Sequence, residues 1–247
     1  VKVAIIDTGV DMSHQDLSSK IKGSVNMLNK TTTDVTDMNG HGTHVAGIIA
    51  GEKTGVAPNA ELYIANVLNE KGQGTMANVL DGITFAINHN VDVLCMSLGS
   101  NIPLPDIMTS RLKKAYSQGM AIVCATGNNG RQSVEYPAHY DYVIGVGGVN
   151  RNLERATFSN YGFDMDVVAP SVDILSTYKD NRYAFMSGTS TASPLVAGGI
   201  ALIKSYYKKQ GVELSPADIM GMLSNINSKK DRQVGYGIFD IGKMITM

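Results

Sequence analysis

Four polar residues are placed where their side chains could act together on a carbonyl group. Asp7 closes the apolar run Val3-Ala4-Ile5-Ile6 and precedes Thr8-Gly9. A carboxylate at the carboxyl end of a strand can accept a hydrogen bond from an imidazole and hold its tautomer. His41 lies in Asn39-Gly40-His41-Gly42-Thr43-His44-Val45-Ala46-Gly47. Glycines on both sides leave the ring accessible, and the small, apolar residues that follow suit a closely packed helix start, as a general base requires. Ser190 lies in Phe185-Met186-Ser187-Gly188-Thr189-Ser190-Thr191-Ala192-Ser193-Pro194, where an extended run turns through Gly188 into a helix. A hydroxyl there meets free backbone N–H groups and the positive end of a helix dipole, which favour developing negative charge. Asn128, in Ala125-Thr126-Gly127-Asn128-Asn129-Gly130, directly follows a strand, and its amide could donate to an oxyanion alongside the Ser190 N–H.

Each of these residues also has an ordinary reading. Asp and Asn beside glycine form turns, and a serine before a helix is commonly an N-cap. Other serines and threonines crowd the Ser190 segment, so its chemistry alone does not select it. The conjunction of the four segments carries the argument. A metal reading fails on spacing: His44 follows His41 at i+3 with no Glu between, whereas the zinc-peptidase pattern needs His at i+4. His14, His89 and His139 show no ligand-like spacing, and His44 reads as a packed or hydrogen-bonded neighbour.

To bring these residues together the chain must supply strand ends and helix starts. Short β-branched runs at Val1–Ile6, Leu62–Val67, Val91–Leu98, Ala121–Ala125 and Val143–Val149 alternate with helical patterns. The helices are expected over His41–Ala50, Met76–Asn88, Ile107–Gln118 and Ser190–Tyr207. This alternation reads as βαβ units around a mostly parallel sheet, in which ligands bind beyond the carboxyl ends of the strands. Ser215-Pro216-Ala217-Asp218 reads as an N-cap, a proline at the first helical position and an acid in the first turn. No repeat, low-complexity tract or linker interrupts the chain, so one domain over residues 1–247 is expected.

The bulk numbers exclude some partners. Twenty-one basic and twenty-two acidic residues give a net charge of -1, which argues against nucleic acid. No apolar run approaches the roughly 20 residues that span a bilayer. Cys95 and Cys124 each sit in an apolar run and read as buried free thiols, with a disulfide between neighbouring strands left open.

Together, VAIIDTGVD around Asp7, GHGTHVAG around His41, ATGNNG around Asn128 and SGTSTASP around Ser190 resemble the subtilisin family of serine proteases. The order Asp, His, Ser is the order of that family, and GVAPNAELY, MSLGS, VAP and GYGIFD extend the similarity over nearly the whole chain. The resemblance implies a three-layer α/β/α fold and a serine endopeptidase. In it Ser190 attacks the scissile carbonyl, His41 carries the proton and Asp7 orients the imidazole. Asn128 donates to the oxyanion with the Ser190 N–H, and Thr189 makes a supporting contact. It further implies a peptide or protein substrate held as an extended strand between Gly72-Gln73-Gly74 and Ser97-Leu98-Gly99-Ser100. An N-terminal propeptide and a secreted or cell-surface location also follow from the resemblance.

Three departures from the family pattern sharpen the expectation. Ala50-Gly51-Glu52-Lys53-Thr54 leads almost directly into Gly55-Val56-Ala57-Pro58, where the family's high-affinity calcium loop normally lies. One acid beside one lysine is a poor substitute for six or more oxygen ligands, so that site is expected to be absent and no cofactor to be required. Thr191 follows the nucleophile where many bacterial subtilisins carry methionine, which removes an oxidisable thioether. Glu135, just before Tyr136-Pro137, holds the place that in relatives forms the floor of the pocket for the residue preceding the cut, where a small residue is frequent. A carboxylate there favours Arg or Lys, although Arg131 could neutralise it. An acidic pocket suits a processing or leader-peptide protease. Broad degradation and an inactive binding module are the alternatives.

Overall fold

The computed structural model describes residues 1–30 and 33–245. Seven strands form one parallel sheet: β1 (Lys2–Asp7), β2 (Ile21–Asn26), β3 (Glu61–Asn66), β4 (Val93–Met96), β5 (Ala121–Ala125), β6 (Ile144–Val149) and β7 (Val167–Pro170). Their order across the sheet is β2-β3-β1-β4-β5-β6-β7. A separate antiparallel hairpin pairs β8 (Ile174–Tyr178) with β9 (Arg182–Met186).

The sheet is covered on both faces, as an all-parallel sheet must be. Helices α1 (His41–Ala50), α4 (Thr189–Lys208) and α5 (Pro216–Leu223) contribute Val45, Ile49, Val196, Ile200 and Ile219 to the core on one face. Helices α2 (Met76–Asn88) and α3 (Asp106–Ser117) contribute Val79, Ile83, Met108 and Leu112 to the other. A short α6 (Ile241–Ile245) follows α5 and packs against α4. The architecture is the expected three-layer α/β/α arrangement.

Alternation along β1 aims the first functional residue. Val3 and Ile5 point into the core beneath α1 and α4, whereas Ala4 and Ile6 point to the α2–α3 side. A period of two therefore turns Asp7 toward the helices that begin with His41 and Thr189-Ser190. The same alternation separates the cysteines. Cys95 lies in the core under α4 and Cys124 in the core under α3, on opposite faces of adjacent strands, and both are free thiols.

The sequence-predicted helices over His41–Ala50 and Met76–Asn88 match the structure, and the strand at Ala121–Ala125 does too. The expected strand Val91–Leu98 is shorter in the structure, covering Val93–Met96. Leu98 lies past the sheet, in a segment whose Ser100 pairs with Tyr136 through two backbone hydrogen bonds of 2.8 and 2.9 Å. That early departure frees residues 97–100 to line a groove.

Candidate active site

Asp7 is the last residue of β1 and is fully buried. Its Oδ1 accepts from the Thr8 backbone N–H at 2.7 Å and from His41 Nδ1 at 2.7 Å. A carboxylate accepting at Nδ1 places the ring proton there and leaves Nε2 as the basic nitrogen. His41 opens α1 with its ring 20% exposed. Burial disfavours the imidazolium, but the Asp7 carboxylate at hydrogen-bond distance and the nearby Asp37 more than offset that, and the pKa of His41 is raised.

The flanking glycines do more than leave accessible the ring, which is 20% exposed and lines a cleft. They let backbone approach backbone and ring. A Cβ on Gly42 would collide with the Gly9 carbonyl, and one on Gly40, at φ 104°, would collide with the ring of Tyr178. His44 is buried, and its Nε2 contacts the carbonyls of Ile174 and Ala184 at 3.0 and 3.1 Å. Burial lowers its pKa against the pull of those carbonyls. It fastens the β8–β9 hairpin to α1, the packed role expected of it.

Ser190 stands in the first turn of α4, half-buried. Its neighbour Gly188 has φ 152°, and a Cβ there would lie 3.2 Å from Ser190 Oγ and 3.5 Å from Asn128 Nδ2. The hydroxyl and the amide thus face one small space that any side chain at 188 would fill. Asn128 is oriented by Thr189, whose backbone N–H and hydroxyl donate to Asn128 Oδ1 at 2.8 and 3.0 Å. With its oxygen so held, Nδ2 is the amide's free donor. Thr189 therefore fixes the orientation of the Asn128 amide. Among the described residues no hydrogen bond joins His41 to Ser190.

Sequence reasoning missed the residues that hold these loops. Asn160 Oδ1 accepts from the backbone N–H of Asn129 and Arg131, and its Nδ2 donates to the Thr126 carbonyl. It braces both sides of Asn128. Ser97, expected only in the substrate groove, also lies beneath Ser190, its Oγ donating to the Ser190 carbonyl at 3.1 Å.

A cleft of about 540 Å³ runs past His41. All seven predicted groove residues, Gly72, Gln73, Gly74, Ser97, Leu98, Gly99 and Ser100, line it. Its depth is apolar, with Leu68, Val79, Ile83, Leu104, Met108 and Leu112, none of which the sequence singled out for binding.

Glu135 does not itself line the cleft but lies behind Gly99, which does. Its carboxylate sits against Gly99 and Gly127, and a Cβ on either glycine would collide with it. Asn129 Nδ2 donates to Glu135 Oε1 at 3.0 Å. Burial raises the pKa of Glu135, and the Asn129 bond opposes that. Among the described residues no ion pair joins Arg131 to Glu135.

A buried Asp–His pair, a helix-borne serine and an amide facing the same space, set at the strand ends of this sheet, define a protease of the subtilisin type. The chain belongs to the subtilase family, whose sequence model matches residues 1–237. It is 42% identical to subtilisin DY of Bacillus licheniformis over 246 residues, covering 96% of this chain and 87% of that protein. It is 40% identical over 238 residues to the major intracellular serine protease of Bacillus subtilis (strain 168), covering 90% of this chain and 74% of the relative. The crystal structure of a cold adapted subtilisin-like serine proteinase superposes with a TM-score of 0.84 at 31% identity, covering 97% of this chain and 86% of that one. The chain is a subtilisin-like serine endopeptidase. One relative is intracellular by name, so family membership alone does not assign a compartment. No helix among the described residues is long and apolar enough to cross a membrane.

Proposed function

We propose that this endopeptidase cuts after Arg or Lys, with Ser190 as nucleophile, His41 as general base and then acid, Asp7 as the orienting carboxylate and Asn128 as an oxyanion donor. Proton transfer from Ser190 Oγ to His41 Nε2 accompanies attack on the carbonyl carbon, whose electron pair moves to the oxygen facing Asn128 Nδ2. Collapse of that intermediate breaks the C–N bond, delivers the proton from His41 to the leaving amine and leaves an acyl-enzyme on Ser190. Water then hydrolyses the acyl-enzyme, His41 taking the water's proton and returning it to Ser190 Oγ.

The observation that carries the specificity is the Glu135 carboxylate, half-buried between Gly99 and Gly127 and without a cationic side chain paired to it among the described residues. A partly desolvated anion is satisfied best by a guanidinium or ammonium group brought by the substrate. The deep apolar cleft beside it supplies a second anchor along the same extended peptide. Two unlike subsites on one strand multiply discrimination, which supports cleavage at few sites and a processing role. We extend the proposal to the turn at Ala50–Gly55, which we read as serving without a high-affinity calcium ion.

Cleavage-site profiling of a diverse peptide library tests this, with Ser190→Ala as control. Cuts should cluster after Arg and Lys and vanish in the control. Glu135→Gln should reduce the preference for basic over neutral residues by about tenfold or more, the low end for losing one partner of a charge pair that is only half-buried. Unchanged preference in Glu135→Gln overturns the specificity, and cuts in casein at many unlike sites overturn the processing role.

A further inference from the structure

Asp37 lies in the loop that leads into α1 and is 3% exposed. It accepts five hydrogen bonds, and they come from both sides of the catalytic pair. Oδ1 takes the Thr8 hydroxyl at 2.8 Å, the Asn39 N–H at 3.1 Å and the Gly40 N–H at 2.8 Å. Oδ2 takes the Thr43 N–H at 2.8 Å and the Thr43 hydroxyl at 2.7 Å. The Thr8 hydroxyl passes the link on, accepting from the Gly42 N–H at 2.9 Å.

Thr8 is the residue after Asp7, and Gly40, Gly42 and Thr43 surround His41. Gly40 caps α1 with no side chain, so the first turn of that helix depends on groups from elsewhere to satisfy its N–H donors. A local turn would need only the Asn39 and Gly40 contacts. The reach to Thr8 and Thr43 serves no turn, and because backbone N–H groups, which can only donate, reach both Asp37 oxygens, a carboxylate matches them where an amide would not.

We propose that Asp37 is a positioning residue for peptide hydrolysis: one buried carboxylate fixes the end of β1 that carries Asp7 to the first turn of α1 that carries His41, and so sets the geometry of the pair. It touches neither substrate nor reacting atoms. Its charge also bears on the proton transfer, because His41 becomes cationic as it takes the Ser190 proton. The titratable groups near that ring are Asp7 from β1, Asp37 from the loop and His44 one turn along α1, and the two carboxylates both favour the imidazolium.

The inference rests on the proposed roles of Asp7 and His41, which His41→Ala tests separately: wild-type turnover in that variant would sink the roles themselves. The test of Asp37 is Asp37→Asn, which keeps the shape but removes the charge and turns an NH2 toward one set of donors. With folding verified by circular dichroism, kcat should fall about 10- to 100-fold, the scale of a misplaced catalytic group. KM should stay within about threefold, since groove contacts are untouched. The acid limb of kcat/KM should move to lower pH, which a loss of stability alone would not do. A folded variant with wild-type kcat and an unmoved acid limb overturns the proposal. Thr8→Val decides the matter if Asp37→Asn does not fold. It removes only the hydroxyl that joins Asp37 to Gly42, and a kcat loss supports the proposal whereas wild-type kcat overturns it.

Discussion

In the proposed mechanism His41 must hold no proton on Nε2 before it can take one from Ser190, so the pH at which the ring empties sets where turnover begins. Burial works against the imidazolium, yet Asp7 at 2.7 Å and the nearby Asp37 outweigh it and raise the pKa. Below that raised pKa the ring is charged and cannot act as base, and activity is gained as pH rises through it. The acid limb of kcat/KM should therefore have its midpoint above the ordinary imidazole value of about 6.5. A substrate with a neutral residue before the cut keeps Glu135 out of the profile, and a midpoint below that value would contradict the electrostatic account. Asp7, His41, Asn128 and Ser190 were legible because each sits in a short local motif. Asp37 and Asn160 were not. Asp37 accepts from N–H groups and from the hydroxyls of Thr8 and Thr43, and Asn160 accepts at Oδ1 and donates from Nδ2 to the Thr126 carbonyl 34 residues away, and no spacing along the chain displays that.

Among the elements, α5 shows a local signal surviving intact into the fold. Ser215 Oγ accepts from the Asp218 N–H at 3.2 Å, and Asp218 Oδ2 accepts from the Ser215 N–H at 2.8 Å. The reciprocal bonds start a helix that buries Ile219 and Leu223 against the α4 side of the sheet. Ser215→Ala should lower stability by about 1 kcal/mol, read as a shift in denaturant midpoint, with kcat unchanged because α5 contributes nothing to the groove. The Ser215 hydroxyl and N–H depress the pKa of Asp218, so their contribution is present above the unfolded carboxylate value. It is lost as pH falls through the folded value, and the difference between the two proteins should shrink there. Other elements left weaker traces. β2 carries a register shift between Ile21 and Gly23 that breaks strict alternation, and β7 has only four residues. β8 and β9 pair outside the main sheet and hold to α1 through hydroxyl-to-carbonyl bonds, Ser176 to His44 and Thr177 to Thr43. Such polar docking carries no hydrophobic period, which is why the hairpin was not expected although it shapes the rim beside His41.

At the scale of the whole molecule, the parallel sheet gathers Asp7, the 97–100 segment and the 126–128 turn at one end, because every strand runs the same way. Composition and βαβ alternation made that much readable. Whether the frame needs a bound ion is a separate question, and the sequence places it at Ala50–Gly55. There the chain closes on itself: Gly51 N–H donates to the Gly47 carbonyl at 3.0 Å, Gly55 N–H to Gly51 at 2.8 Å, and Val56 N–H to Ile48 at 2.9 Å. The acids nearby already have cations, Glu52 pairing with Lys20 at 2.6 Å and Asp16 with Lys53 at 3.8 Å. On the proposed reading, a turn closed by its own backbone, with Glu52 and the nearby Asp16 already paired to lysines, would offer a calcium ion little charge. The expected outcome is a thermal midpoint unmoved between millimolar calcium and excess chelator, measured on Ser190→Ala so that self-digestion does not intrude. A tight ion at 100 times its dissociation constant would stabilise by about 2.7 kcal/mol, which in a chain of this size raises the midpoint by about 5–10 °C. A shift of that size on adding calcium would overturn the proposal that the fold serves without a tightly held calcium ion.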